Sequence, residues 1–287
     1  MNDALIVSLL SAVPKGPTTR LMGAGTRLAL PGWAHRALLR WYVGHYGVNL
    51  DECVGGIDDY RTLSDFFVRG LKDGARTVDP DPDVLVSPVD ARVHTFGTIE
   101  GGRFVQAEGQ RCPVDMLLGV GDLRVPGASP ADAARFEGGG WAILYLSPKD
   151  YHRVHTPAEG TVARYRYLPG QFWPVFPAAT KKVPDLFARN ERLVFFLDTP
   201  FGHIAQVMVG AFGVSRMTTV VGPLVTNTGG GGEDVRLSPA LPIGRAAELG
   251  RFNMGSTVIL LTEPGKLRWT LTAGAPVKLG QPIARRA

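Results

Sequence analysis

Two histidines stand three residues apart in Leu146-Ser-Pro-Lys-Asp-Tyr-His-Arg-Val-His-Thr-Pro157, where an apolar run ends. Imidazole changes charge near neutral pH, so His152 and His155, beside Tyr151 and Arg153, are candidates for proton transfer. A metal site has little support there. No HExxH, no nearby cysteine and no third ligand accompany the pair, and a catalytic zinc needs three protein ligands. A turn whose histidines are satisfied by backbone groups explains the peptide equally well. Asp90, in Leu85-Val-Ser-Pro-Val-Asp-Ala-Arg-Val93, follows a proline turn and taken alone reads as an Asx-turn residue. Gly255-Ser256-Thr257 leads into a β-branched run. Its ordinary reading is a small-residue turn that opens a strand. It is not the GxSxG nucleophile elbow, since Val258 stands where the last glycine would be.

These segments need elements to hold them. From Pro80 onward short β-rich runs alternate with Gly/Pro turns: 92–99, 103–107, 141–146, 160–168, 193–197, 204–214, 257–261, 267–271 and 276–279. That spacing predicts an α+β chain with a β-rich core, sandwich or barrel-like. The runs either side of Asp198-Thr-Pro-Phe-Gly202 predict a hairpin. Gly229-Gly-Gly-Gly232 lacks the GK[ST] ending of a phosphate loop and reads as a surface loop. A short helix is expected after Ser64. The first 50 residues read as helical, with Trp33, Ala34, Ala37, Leu38, Trp41 and Tyr42 at helical spacing and His35, Arg36 and Arg40 on other faces. Such a helix can pack on the body or lie at a lipid interface, with Trp33, Trp41 and Tyr42 at headgroup level.

Composition narrows the class. Of 287 residues 45% are apolar and 20% charged, which excludes disorder, collagen-like repeats and a disulfide-rich miniprotein. The formal charge is +5, and residues 1–50 hold Lys15, Arg20, Arg27, Arg36 and Arg40 against one acid, Asp3. A basic head on a nearly neutral body fits an anionic membrane surface better than nucleic acid. Cys53 and Cys112 show no CxxC spacing, so neither a disulfide framework nor a zinc ribbon is expected, and a reducing compartment is simplest. The apolar run 4–13 has no basic residue before it and makes a poor secretory signal. No uninterrupted apolar stretch is long enough to predict a transmembrane helix.

Together the segments resemble the phosphatidylserine decarboxylase family, specifically its bacterial, pyruvoyl-dependent members. Phe66-Phe-Val-Arg69, Ser87-Pro-Val-Asp90, Tyr151-His-Arg-Val-His155, Leu186-Phe-Ala-Arg-Asn-Glu-Arg192 and Gly250-Arg-Phe through Gly255-Ser-Thr257 occur in family order. YHRVH and GRFxxGST together are highly specific. Two positions depart from the pattern. Ala91 stands where glycine is common, and Phe176-Pro177 stands where members carry a polar pair, so no headgroup contact is assigned there.

The resemblance implies a zymogen cut between Gly255 and Ser256 into a large chain (1–255) and a small chain (256–287). Ser256, His155 and Asp90 would form a charge relay for this cut. His155 takes the proton from the serine hydroxyl and Asp90 orients the imidazole. The hydroxyl attacks the carbonyl of Gly255 and the amide becomes an ester. Elimination leaves dehydroalanine, and hydrolysis gives a covalent pyruvoyl group and ammonia. That ketone would form a Schiff base with phosphatidylserine, release CO2 and yield phosphatidylethanolamine, with His152 as candidate acid. It replaces pyridoxal phosphate as electron sink, with no metal. The implied setting is peripheral, on the cytoplasmic side of the cell membrane. The implied partners are the anionic membrane surface, the protein's own two chains as a heterodimer and, as an option left open, a homodimer, with no nucleic acid. The expected organisation is an amphipathic helical region, 1–60, and a β-rich catalytic domain, 61–287. Two other classes compete: a Ser-His-Asp lipid hydrolase with Ser256 intact, and a non-catalytic lipid-binding module. A pyruvoyl decarboxylase acting on another amine is a nearer variant.

Overall fold

A computed structural model describes residues 14–213, 216–253 and 257–287; the apolar run 4–13 and the Gly255–Ser256 pair lie outside the described residues. The N-terminal region forms α1 (Lys15–Thr26) and α2 (Gly32–Tyr46). Along α2, His35, Leu39 and Tyr42 are buried, a spacing that puts all three on one helical face. Gly47 ends the helix at φ +70°, a left-handed conformation that suits glycine, and its N–H donates to the carbonyl of Val43 at 2.9 Å. Two expectations are corrected. His35 is on the buried face, and Tyr42 turns inward, because its hydroxyl donates to the carbonyl of Pro148 at 2.7 Å. Trp33 and Trp41 remain 76% and 56% exposed. No helix among the described residues is long and apolar enough to cross a membrane.

The expected short helix is α3 (Leu63–Phe67), capped by the Thr62 hydroxyl accepting from the Asp65 amide at 3.1 Å. It delivers Phe66 and Phe67 to a small core shared with Leu39, Tyr42 and Val48. Four further helices are short: α4 (Val114–Leu118), α5 (Pro130–Ala134), α6 (Pro177–Lys182) and α7 (Leu186–Arg189).

The rest is sheet. The strands are β1 (Val84–Val86), β2 (Ala91–Thr98), β3 (Arg103–Ala107), β4 (Gln110–Pro113), β5 (Gly140–Tyr145), β6 (Arg153–His155), β7 (Gly160–Leu168) and β8 (Arg192–Thr199). They continue with β9 (Gly202–Val209), β10 (Met217–Thr219), β11 (Glu233–Ile243), β12 (Glu248–Phe252), β13 (Thr257–Thr262), β14 (Leu267–Trp269), β15 (Pro276–Val277) and β16 (Pro282–Arg286). Eight make one sheet in the order β11-β7-β8-β9-β13-β5-β2-β15. β8 and β9 are the predicted hairpin, Thr199 facing Gly202. β13 is buried at every position, as a strand covered on both faces should be.

The architecture is α+β, but the sheet does not close into a barrel. No pairing joins its edges β11 and β15. Proline explains both edges. Pro239 and Pro242 in β11 and Pro276 in β15 have no N–H to give a further neighbour. The tetraglycine segment is a loop, as expected, and runs directly into β11, which has no counterpart among the predicted runs.

Candidate active site

The two most specific motifs are neighbours in space. β6 carries the second half of YHRVH and pairs antiparallel with β12, which carries GRF: His155 faces Glu248, Val154 faces Gly250 and Arg153 faces Arg251. Arg153 and Glu248 form an ion pair at 3.1 Å across this seam. Gly250 is required by close approach. A Cβ there would lie 2.7 Å from the carbonyl oxygen of Thr218 on β10. Beyond β12 the chain is held on both sides. The amide of Phe252 donates to the carbonyl of His152 at 3.0 Å, and that of Asn253 to the carbonyl of Arg216 at 2.9 Å. It resumes at Thr257, paired with Val209 on one side and Tyr145 on the other. Ser256 and Gly255 lie between these anchors in sequence, outside the described residues.

His155 is mostly buried. Its Nδ1 lies 2.8 Å from the carbonyl of Ala246, an atom that only accepts, so Nδ1 carries the proton. Nε2 is then the lone pair, and the hydroxyl of Tyr151 donates to it at 3.0 Å. Burial lowers the imidazole pKa below its usual value, only partly opposed by the bond to Ala246. Burial likewise pushes the Tyr151 hydroxyl up to about 12.

Asp90 is 1% exposed and fully occupied. Oδ1 accepts from Arg76 Nε at 2.9 Å and from the amide of Leu279 at 2.9 Å. Oδ2 accepts from Lys278 Nζ at 3.1 Å and from Arg76 Nη2. Arg76 also reaches Glu52 at 2.7 Å. Burial works to raise the pKa of Asp90, but the Arg76 hydrogen bonds, the Leu279 amide and the two cations outweigh it, and the net shift is downward. Asp90 and His155 are brought to one neighbourhood, since the amide of His155 donates to the carbonyl of Pro88 at 2.9 Å. Their hydrogen-bond partners are nevertheless separate.

His152 is fully buried against Phe67, ring centroids 4.0 Å apart. Nδ1 donates to the carbonyl of Asp150 at 2.7 Å, and Nε2 has no hydrogen-bond partner among the described residues. Burial, then the charge of Arg69, lowers its pKa to about 3. This imidazole is neutral at rest and can accept a proton at Nε2. As the resting group it is not an acid, a physical consequence of the dry site.

Beside Phe67 and Tyr145 opens a cavity of about 210 Å³, lined also by Val175, Phe176 and Phe212. Phe176 thus lines an aromatic hollow next to the strand that begins at Thr257. On the His155 side lies a wider cleft of about 650 Å³ with Tyr151, Arg153, Arg69 and Arg76 in its wall. Among the described residues no cluster of His, Cys, Asp or Glu is placed to hold a metal ion. Sequence reasoning did not reach Arg76, Lys278 and Ala246. Nothing in their local sequence marks them, because they meet Asp90 and His155 only through the fold. Arg69 was visible, as the last residue of the FFVR segment.

Two imidazoles with Nδ1 on main-chain carbonyls, one of them beside an aromatic hollow, define a site suited to proton transfer. The comparisons supply the rest. Residues 63–285 match the family model described as phosphatidylserine decarboxylase. The chain is 44% identical to the phosphatidylserine decarboxylase proenzyme of Myxococcus xanthus over 285 residues, 99% of each chain. It is 44% identical to that of an Anaeromyxobacter species over 292 residues, 100% of each, and 39% identical to that of Aliivibrio fischeri over 297 residues, 99% of each. The chain is a decarboxylase, and it belongs to the phosphatidylserine decarboxylase family.

Proposed function

We propose that this chain cuts itself between Gly255 and Ser256 and then converts phosphatidylserine to phosphatidylethanolamine and CO2 at an anionic membrane surface. One observation carries the reading: β6 and β12 bring both histidines against the segment that leads into Gly255-Ser256. His155 presents a lone pair at Nε2 and serves as base for the Ser256 hydroxyl once Tyr151 swings aside. Asp90 adds only a small favourable charge to the imidazolium formed, because Arg76 and Lys278 offset most of it, and Glu248 adds to it. The hydroxyl adds to the carbonyl of Gly255, the peptide bond becomes an ester, and elimination followed by hydrolysis releases ammonia.

The covalent pyruvoyl group left on residue 256 supplies the electron sink for decarboxylation. The residues present fit such a group. His152 offers a buried nitrogen with no partner among the described residues, and the hollow by Tyr145 and Phe67 is lined mostly by apolar and aromatic side chains. His152 presents its Nε2 lone pair to the substrate ammonium and relays the proton only in passing, since the neutral ring is its stable form. This replaces the simple acid role by a relay that starts from the neutral ring.

The head of the chain supports a location at the membrane surface. Exposed Trp33 and Trp41, with Leu21 at 74% and Leu28 at 61% exposed, suit the headgroup region of a bilayer, and the basic residues suit its phosphates. The proposed setting is peripheral, on the cytoplasmic side. The test is denaturing intact-mass spectrometry on the wild type beside Ser256→Ala. Two chains split after Gly255, the smaller lighter by one ammonia, support the reading. A stable, folded and uncut wild type removes it and favours the intact-serine hydrolase.

A further inference from the structure

Arg69 is a buried cation with no acid beside it among the described residues. It is 4% exposed, and no carboxylate lies within ion-pair distance among the described residues. Burying a guanidinium is costly, and the usual remedy is a carboxylate partner. Here the remedy is backbone. Nη2 donates to the carbonyls of Lys149 at 2.7 Å and Asp150 at 3.1 Å, while the guanidinium lies 5.2 Å from the centre of the Phe66 ring. Nε and Nη1 have no partner among the described residues.

The carbonyl of Asp150 is the same oxygen that accepts from His152 Nδ1. Arg69 and His152 therefore meet at one acceptor. The turn that carries it is rigid, because the Asp150 carboxylate accepts from the amide of Ser147 at 2.8 Å and its hydroxyl at 2.6 Å. The other charges near His152 are accounted for. The Asp150 side chain faces its own turn, and Asp90, whose charge acts in the opposite sense, is neutralised by Arg76 and Lys278. Phe67, two residues before Arg69, covers one face of the ring.

We propose that Arg69 is a positioning residue that holds His152 neutral, with the proton on Nδ1 and the lone pair on Nε2. It does so by fixing the shared carbonyl and by placing a positive charge beside the ring. The second effect makes a second positive charge on the imidazole unfavourable. The role in turnover rests on the reading that His152 handles the proton in decarboxylation; the state of the ring does not.

The experiment is a long-range proton–nitrogen NMR correlation on full-length protein labelled with nitrogen-15 histidine, in wild type, Arg69→Met and Arg69→Lys, with His152→Gln to assign the signal. The wild type is expected to show His152 as the neutral Nδ1–H form from about pH 5 to 8. In Arg69→Met, followed down to the lowest pH at which the fold persists, the midpoint rises by about one unit, a tenfold change in the imidazolium ratio, and burial still keeps it below the ordinary value. Arg69→Lys keeps the charge and restores most of the depression. Intact mass checks that each variant still cuts itself and so folds. An Nε2–H form or ordinary titration in the wild type overturns the proposal whatever the variants do. So does an Arg69→Met protein whose His152 is unchanged. Full turnover by His152→Gln would instead remove the decarboxylation role while leaving the NMR result standing.

Discussion

The Nδ1–H of His155 donates to the main-chain carbonyl of Ala246 at 2.8 Å, while Asp90 is engaged by Arg76, Lys278 and the Leu279 amide. Backbone thus fixes which nitrogen of His155 is the base. A carbonyl cannot be protonated or titrated away, so the tautomer holds over the whole working pH range. Self-cleavage needs the neutral ring, whose pKa lies below the ordinary value of 6.5. The rate of appearance of the small chain is therefore expected to rise with pH, to half-saturate below 6.5 and to be flat above. A time course by gel at stepped pH checks this; a rate still climbing well above neutrality would contradict it.

Tyr151 caps the lone pair of that base. A neutral donor on Nε2 stabilises the unprotonated ring, so removing it lets the pKa return upward. Tyr151→Phe is expected to move the midpoint of the cleavage profile to higher pH, with Ser256→Ala as the uncut control. An unchanged midpoint would mean that the hydroxyl has no hold on His155.

Asp90 is expected to matter twice. Asp90→Asn leaves Arg76 with Glu52 as its remaining carboxylate, so the loss is expected to fall below the about 3–5 kcal/mol of a buried pair broken outright. Lys278 is half exposed and adds little. Denaturant unfolding in the Ser256→Ala background reads the stability without the cut intervening. The sign with pH follows from the lowered pKa. The carboxylate's contribution is complete above the unfolded value near 3.8 and is lost as pH falls through the folded one.

His152 gives a second, separable acid sensitivity. Its pKa falls from 6.5 to about 3 on folding, so between those values the unfolded chain binds a proton that the folded chain refuses. Stability is complete above 6.5 and declines on acidification toward 3, with a slope approaching ~1.4 kcal/mol per pH unit. His152→Phe is expected to flatten that slope. Equal slopes in the two proteins would show that the ring is not dry.

Membrane attachment is tested at the exposed indoles. Trp33→Ala with Trp41→Ala is expected to lower binding to vesicles containing anionic lipid several-fold while self-cleavage continues, because neither ring is buried in the body. Flotation of both proteins reads it, and undiminished flotation would place the contact elsewhere.

What was legible in the sequence was what local pattern controls. β3, β7, the β8–β9 hairpin and β13 carry β-branched or alternating runs and were found with little error. β11 was missed because two prolines and a polar texture disguise an edge strand, and β16 because its second half is basic. Closure was over-read for the same reason: evenly spaced strands look alike whether or not their ends meet. At the site, YHRVH and GRF announced themselves, and their pairing as β6 and β12 follows from no local rule. Arg76 and Lys278 were invisible because they acquire their role only where residues far apart in sequence converge on one carboxylate. Tyr42 and His35 misled because a helix periodicity shows a stripe without showing which neighbour covers it.

The position of β13 decides what a cut beside it would leave behind. The strand lies in the middle of the eight-stranded sheet, bonded to β9 and β5, and further along the same fragment β16 is bonded to β1 and β14. A severed segment of this kind behaves as a plank nailed from both sides rather than as a tail. Drawing it out would bare two strand edges and wet Val258, Ile259, Leu260 and Leu261, each worth about 1.5–3 kcal/mol. Two polypeptides made by such a cut would share one melting transition, and neither would be exchangeable for a fresh copy added from outside. Each molecule would keep for life the fragment it was synthesised with.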